Sequence, residues 1–595
     1  MLRLFRTLKH LRWEQVAYRP LRIAQFRLYR YFPALANPWT MPQGAPEVAA
    51  ACEIIRSVFL ERFTHLNSPL TGFDQRINDL GDNTFTFLNR RVRLNPLDWN
   101  SRYESHLWNY QLHYFNFALW CARSRVERKD DSFEPCRKLI ESWLSEARIG
   151  RSDGWDAYPT SLRVVNWIYA YSLIENSYGN KAFLDRWRAG IHAQLDFLSR
   201  HLEHHLQANH LLKNVKALFI GGLFFNREDW IEKGSSLLLR ELEEQILDDG
   251  GHYERSPMYH SQTLADFLEC HALQTAFGRL RTGQPFDIKL QKMAGFLDAM
   301  TYQDGSFALF NDSANTEETS PIPVIESAQK IVGYAFGNYP AAFPETGYFL
   351  WENAGKFEKI IVDAGPPSVD YNTAHAHCDI ASYELWLDGS PFIVDSGVHG
   401  YGGDRYREFC RSTRAHNTIV IDGLEQSEIW GTFRMARRAE IVEAAAESNE
   451  NCWSFRCSYH PYHSKKLTHQ RSIKRLSTGE WVFEDSVAGG STHLVDSFIH
   501  LHPAINAKKI KVDSHNIECR SKNLDILIEP FGAETVEIIQ GSSSPIQGWY
   551  FPDFGRAEKR STIRITYRAE SGCVFGYKIK RDSEPDGRES TKQTK

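Results

Sequence analysis

Two histidines stand two residues apart in Asn-Thr-Ala-His-Ala-His-Cys-Asp (372–379), as His375 and His377. Asp395 follows in Phe-Ile-Val-Asp-Ser-Gly, and His416 in Arg-Ala-His-Asn-Thr. Side chains alternate along an extended segment, so both imidazoles would point to one side. Two imidazoles and a carboxylate suit Zn²⁺ with water as fourth ligand, and His377, Asp395 and His416 are the ligand set expected. Each histidine taken alone reads equally well as a satisfied core or surface residue. Cys378 adds a soft donor nearby.

A second group of reactive residue types precedes these. Gln-Ala-Asn-His-Leu-Leu-Lys-Asn (207–214) sets Asn209 and His210 at the start of an amphipathic helix, where Asn209 could also serve simply as an N-cap. Gly-Gly-His-Tyr-Glu-Arg-Ser-Pro-Met-Tyr-His (250–260) is a polar, ring-rich loop leading into another helix. Tyr259 in it is a candidate acid or base, or else a cap on the core.

The elements that must position these groups divide the chain. Residues 1–48 form a basic amphipathic extension (Arg3, Arg6, Arg12, Arg19, Arg22, Arg27, Arg30) and a Pro-containing linker. This extension reads either as a peripheral contact with an anionic membrane or as a helix packed on the next domain with its Arg face in solvent. From 49 to 340 apolar residues recur at three and four, as in Leu264, Phe267, Leu268 and Ala272, which predicts successive helices. From 341 to 580 short β-rich runs alternate with turns. Tyr383, Leu385 and Leu387 alternate with Ser382, Glu384 and Trp386, and Asp388-Gly389 then turns the chain into Phe392-Ile393-Val394, a hairpin pattern. Residues 581–595 read as a polar, disordered tail. The fold class expected is α+β and multidomain, with an antiparallel β-sandwich following the helices.

At 595 residues the chain exceeds one core. Its net charge of −4 makes the whole molecule no polyanion or nucleic-acid binder, so local basic groups must meet any acidic ligand. Ten scattered cysteines imply no disulfide framework. No apolar run is long enough for a membrane span, and no signal-peptide pattern is seen at the N-terminus, so a cytoplasmic or membrane-peripheral location is expected, with export by another route left open.

Ala-His-Ala-His-Cys-Asp (374–379), Val-Asp-Ser-Gly (394–397) and Phe-Cys-Arg-Ser-Thr-Arg-Ala-His-Asn-Thr (409–418) resemble the C-terminal part of the heparinase II/III family of polysaccharide lyases. Cys378 departs from the small apolar residue expected there. The resemblance implies an incomplete α/α toroid before the sandwich, and lysis of a uronic-acid-containing glycan by β-elimination. It makes His375 catalytic and gives zinc, in a structural role, to His377, Asp395 and His416. Asn209 and His210 would hold the substrate carboxylate, and Tyr259 would be the catalytic acid or base. A phenolate at Tyr259 needs a lowered pKa, for which Arg255 or a histidine is the expected cause. Arg255, Tyr406, Arg411, Arg414, Trp167 and Tyr110 are candidate substrate contacts, and Tyr401 competes with Tyr406. Family members with such a basic extension look like proteins of bacterial surface or exopolysaccharide metabolism. A glycoside hydrolase using Glu254 with Asp248 or Asp249, and a non-catalytic glycan-binding protein, are the competing readings.

Overall fold

The computed structural model describes residues 2–40, 44–67, 73–279, 284–448, 452–490, 492–511 and 515–581. The expected tail from 582 onward lies outside them. Helices dominate to Val332 and strands from Ala342. The helical half has one continuous core that includes Ile55, Trp143, Trp167, Phe219 and Leu268. Leu264, Phe267, Leu268 and Ala272 fall on the helix Pro257–Ala276 and are all buried, as their spacing requires. Together the helices make the toroid half of a toroid-and-sandwich protein.

The second half stacks antiparallel sheets. A five-stranded meander (Ala342–Phe343, Tyr348–Asn353, Glu358–Asp363, Ser382–Leu387, Ser390–Ile393) lies between the helices and the rest of the sandwich. Its two faces explain the alternation. Tyr383, Leu385 and Leu387 face the sandwich core, where Tyr383 stacks on Phe483 at 4.5 Å. Trp386, on the other face, stacks on Tyr302 at 4.4 Å beside the last long helix of the toroid. Glu384 points the same way and accepts from the Tyr302 hydroxyl at 2.9 Å. One short hairpin thus joins both cores. Asp388 (φ 51°) and Gly389 (φ 70°) make its turn, the left-handed pair that a tight hairpin demands.

The N-terminal extension is helical over Leu2–Leu8 and Trp13–Tyr31 and packs on both halves. The expectation that its Arg side would face solvent holds for Arg19, Arg27 and Arg30 and is corrected for the others. Arg3 and Arg6 reach Glu428, Arg12 reaches Glu244, and Arg22 donates to the carbonyls of Arg200 and Leu202, while apolar side chains point outward. Buried or half-buried carboxylates and helix-end carbonyls need donors, and these guanidiniums supply them.

Candidate active site between the two halves

Tyr259 owes its position to a helix start. Ser256 is the N-cap of Pro257–Ala276, its hydroxyl accepting from Tyr259 N at 3.3 Å, with Pro257 in the first helical position. Ser256 also donates to Asp312 O at 2.7 Å, which ties this helix end to the loop ahead of the sandwich. The Tyr259 ring lies 4.0 Å from that of His375, and its hydroxyl is 2.9 Å from the hydroxyl of Tyr401.

His375 is held from behind. Its Nδ1 is 2.8 Å from Asp312 Oδ2, while His377 Nε2 is 2.8 Å from Asp312 Oδ1. Arg407 donates to both oxygens of the same carboxylate, with Nη2 at 2.9 Å from Oδ2. The backbone is clamped as well: Asp312 N donates to His375 O at 3.1 Å, and His377 N donates to Asn311 Oδ1 at 3.0 Å. Burial alone would raise the Asp312 pKa, but Arg407 and the two histidines outweigh it and keep the carboxyl well below its ordinary range. With Nδ1 engaged, the other ring nitrogen of His375, Nε2, lies 3.9 Å from Glu254 Oε1. Glu254 is buried, accepts from Asn372 Nδ2 at 3.0 Å, and has its pKa raised by that burial.

Asn209 and His210 sit in the first turn of the helix Ala208–Phe225. Asn209 is not the N-cap; that position is Gln207. Gln207 (φ 60°) and Ala208 (φ 48°) both have left-handed backbones, a strained entry of the kind that collects at functional sites. Asn209 is buried, and His210 packs on the ring of Tyr158 at 4.3 Å with Nδ1 3.4 Å from Glu203 Oε2. Glu254 senses the charge of both His210 and His375, and Tyr259 that of Tyr158. The two helix starts and the histidine loop therefore converge on one space.

Several expectations are corrected. The Tyr259 pKa is pushed well up, by burial first and by Tyr401 second, so the resting hydroxyl is neutral. Arg255 is not its partner. It is buried and donates to the carbonyls of Thr346, Tyr253 and Glu345, fastening the helical half to the sandwich. Arg411 is buried and spends its donors on the carbonyls of Ala376, Gly431, Thr432 and Thr373, so it braces the histidine loop rather than meeting a ligand. Arg414 lies over the Phe409 ring at 5.9 Å. Tyr406 packs among His399, Trp549 and Phe551, and Tyr401 is the tyrosine that reaches Tyr259. Trp167 is core, fully covered by Trp143, Trp187 and Phe115. Tyr110 is turned to Asp156, its hydroxyl donating at 2.6 Å. The carboxylate pair needed for hydrolysis is not formed with Asp249, whose oxygens accept from Thr346 N at 2.7 Å and Oγ1 at 2.6 Å.

The expected ligands His377 and His416 come together in a buried cluster that could hold a metal ion. His377, Asp379 and His416 bring one ligand atom each within 4.8 Å of one another, all buried. Asp395 instead stands behind His416, 2.8 Å from Nδ1. His377 Nδ1 and His416 Nε2 are both buried without a partner, on rings 5.3 Å apart. Asp379 is pushed up to about 6, by burial first, with Asp395 adding to the rise. Two orphaned imidazole nitrogens and an uncomfortable buried acid fit a divalent cation, with Asp312 and Asp395 as the carboxylates that orient the two imidazoles. Cys378 is no ligand, because its thiol points to Ser427 O at 3.6 Å.

Sequence reasoning missed Arg407 and Asp379 as members of this site, gave Glu254 only a hydrolytic role, and left Tyr401 as the alternative to Tyr406. Asp379 and Glu254 stand inside the motifs already singled out. Asp312 left only a turn-like Asn-Asp-Ser as its signal.

An incomplete helical toroid, an antiparallel sandwich and a Tyr–His pair between them define a toroid-and-sandwich class of protein. The heparinase II/III N-terminus model matches residues 81–333, and the heparinase II/III-like C-terminal model matches residues 337–586. The chain belongs to the heparinase II/III-like family. A heparin-sulfate lyase of Bacteroides stercoris is 22% identical over 399 residues, which are 62% of this chain and 56% of that protein. One from Pedobacter heparinus is 25% identical over 460 residues, 70% and 67% of the two chains. The chain thus spans between half and two-thirds of the length of these curated relatives. The solved structure of heparinase III superposes with a TM-score of 0.69 at 18% identity, over 93% of this chain and 91% of that one, a likeness of fold.

Proposed function

We propose that the chain is a polysaccharide lyase that cleaves a uronic-acid-containing glycan by β-elimination. The observation that carries this is the neutral Tyr259 hydroxyl beside a His375 whose Nδ1 is fixed by Asp312. The reaction removes the proton at C5 of the uronate and breaks the bond from C4 to the bridging oxygen. The electron pair of the C5–H bond becomes the new double bond, and the leaving oxygen takes up a proton. His375 Nε2 is the base in this reading and Tyr259 the acid. A tyrosine kept neutral by burial suits that division of labour better than a phenolate. Asn209 and His210 stabilise the charge that grows on the substrate carboxylate, where one well-placed donor contributes about 3–4 kcal/mol.

A Zn²⁺ held by His377, Asp379 and His416 would be structural, fixing the loop that carries His375. The chain's own residues do the proton transfers. The substrate is an acidic polysaccharide, and bacterial surface or exopolysaccharides are the proposed source alongside the heparin-type glycans named for the relatives.

The test incubates the protein with heparan sulfate, hyaluronan, alginate and bacterial exopolysaccharides and follows ultraviolet absorbance of the unsaturated product. Absorbance should rise with one of them and fall about 10³-fold in Tyr259→Phe, the size of a lost general acid. New reducing ends without absorbance would overturn elimination in favour of hydrolysis.

A further inference from the structure

The N-terminal extension turns several polar side chains to the protein and leaves many apolar ones in solvent. Residues 2–36 hold eight Lys and Arg against one acid, Glu14. Some of its polar side chains face the protein. Thr7 Oγ1 accepts from Trp430 Nε1 at 3.1 Å, the Arg12 guanidinium lies 3.6 Å from the centre of the Tyr371 ring, and Gln15 donates to Tyr371 O at 3.1 Å. Farther on, Tyr29 pairs with His201 at 3.1 Å and Trp39 donates to Asp196 at 2.8 Å. The strap is therefore fastened to both halves of the molecule, and its orientation is set.

Its outer side is apolar. Leu2 is 70% exposed, Phe5 71%, Trp13 69%, Ile23 52%, Tyr31 73% and Phe32 60%. Lys9, Arg19, Arg27 and Arg30 are exposed among them. Single exposed apolar residues need no explanation, but a row of them along one helical strap marks an interaction surface. Among the described residues no helix is long and apolar enough to cross a membrane.

We propose that this strap docks the protein on an anionic lipid bilayer, lying in the headgroup plane with its aromatic and aliphatic side chains at the acyl boundary. Interleaved rings and cations are the composition that such a position selects. The cations give the attraction, each contributing near a negatively charged surface. A second copy of the chain fits this surface less well. A two-fold interface sets a patch against itself, and here that would oppose cations to cations.

The experiment is co-sedimentation of the full chain with vesicles of phosphatidylcholine alone or enriched in phosphatidylglycerol. Binding is expected on the anionic vesicles, weakening with salt, and weak on the neutral ones. Phe5→Ser/Trp13→Ser and, separately, Arg19→Ser/Arg27→Ser should each weaken it about tenfold or more. None of these four side chains contacts the active site, and an unchanged circular dichroism melt shows that each variant is folded. If the apolar pair fails to fold, the charge pair alone carries the test. Absence of sedimentation on anionic vesicles overturns the proposal. So does binding that ignores lipid charge, and so does self-association that the same substitutions abolish in place of lipid binding.

Discussion

Among the described residues are two buried Asp–Arg–His hubs made of nearly the same parts. In one, Asp312 takes Arg407, His375 and His377. In the other, Asp485 takes Arg471 Nε at 2.8 Å and Nη2 at 2.9 Å, with His469 Nε2 at 2.7 Å. Both carboxyls would be raised by burial, and in both the cationic partners more than offset it. The difference lies in what surrounds them. The Asp485 hub joins adjacent strands, where Arg471 and Asp485 are register partners, and Arg471 spends its third nitrogen on the carbonyls of Ala381 and Asn417. Everything in it ends inside the sandwich. The Asp312 hub spans both halves and ends on a histidine beside the Tyr259 hydroxyl. An orphaned imidazole nitrogen is likewise not enough for a metal site. His469 Nδ1 is buried without a partner as well, but His377 Nδ1 is joined by His416 Nε2 and Asp379. Chemistry follows from convergence, not from the hub itself.

The sharpest way to break this comparison is to neutralise each carboxylate. Asp312→Asn and Asp485→Asn each leave a buried guanidinium uncompensated, and each should cost about 3–5 kcal/mol of stability by urea unfolding. Only Asp312→Asn should also lower turnover, by about 100-fold at temperatures where both variants remain folded, because it frees the His375 ring. Equal turnover in the two variants would make the Asp312 hub as purely structural as the other.

A second contrast concerns the orphaned nitrogens. The native protein purified with zinc should carry about one ion per chain by elemental mass spectrometry. His416→Ala should remove it and lower the melting temperature, while His469→Ala should keep it. Retention in His416→Ala would place the ion elsewhere, and no ion in the native protein would dispense with the site.

What the sequence made legible follows the range of the contacts. The hairpin at Asp388-Gly389 was readable because turn chemistry and alternation are local. Tyr259 was flagged inside its loop, and Ser256-Pro257 carries the cap that places it, again within a few residues. Asp312 was not readable, since it meets His375 from 63 residues away and across the boundary between the halves. Arg411 and Arg255 were misread for a related reason. A charged residue in a motif suggests a charged partner, whereas irregular loops expose carbonyls that must be satisfied, and buried guanidiniums satisfy them. Asp379 was within reach, two residues after His377, but the strand returning from the hairpin drew the reading to Asp395. The segment around His377 is instead a series of turns, so period-two reasoning did not apply there.

The smallest effects should come from two tyrosines that stand in parallel positions. Tyr401 lies under Arg407, 5.1 Å from guanidinium to ring centre, and passes the Asp312 hub on to Tyr259 through their paired hydroxyls. Tyr459 packs edge-on to His469 at 5.1 Å, and its hydroxyl accepts from Gln426 at 2.9 Å. Each Phe variant removes one hydrogen bond, a net change of about 1 kcal/mol. In Tyr459→Phe that change should appear as stability alone. In Tyr401→Phe it should appear as turnover, reduced up to about tenfold with the melting temperature nearly unmoved. That partner orients the Tyr259 hydroxyl, and orientation matters most when the proton is delivered. A Tyr401→Phe variant that loses stability and keeps its rate would detach Tyr401 from the reaction and leave the hub's influence to His375 alone.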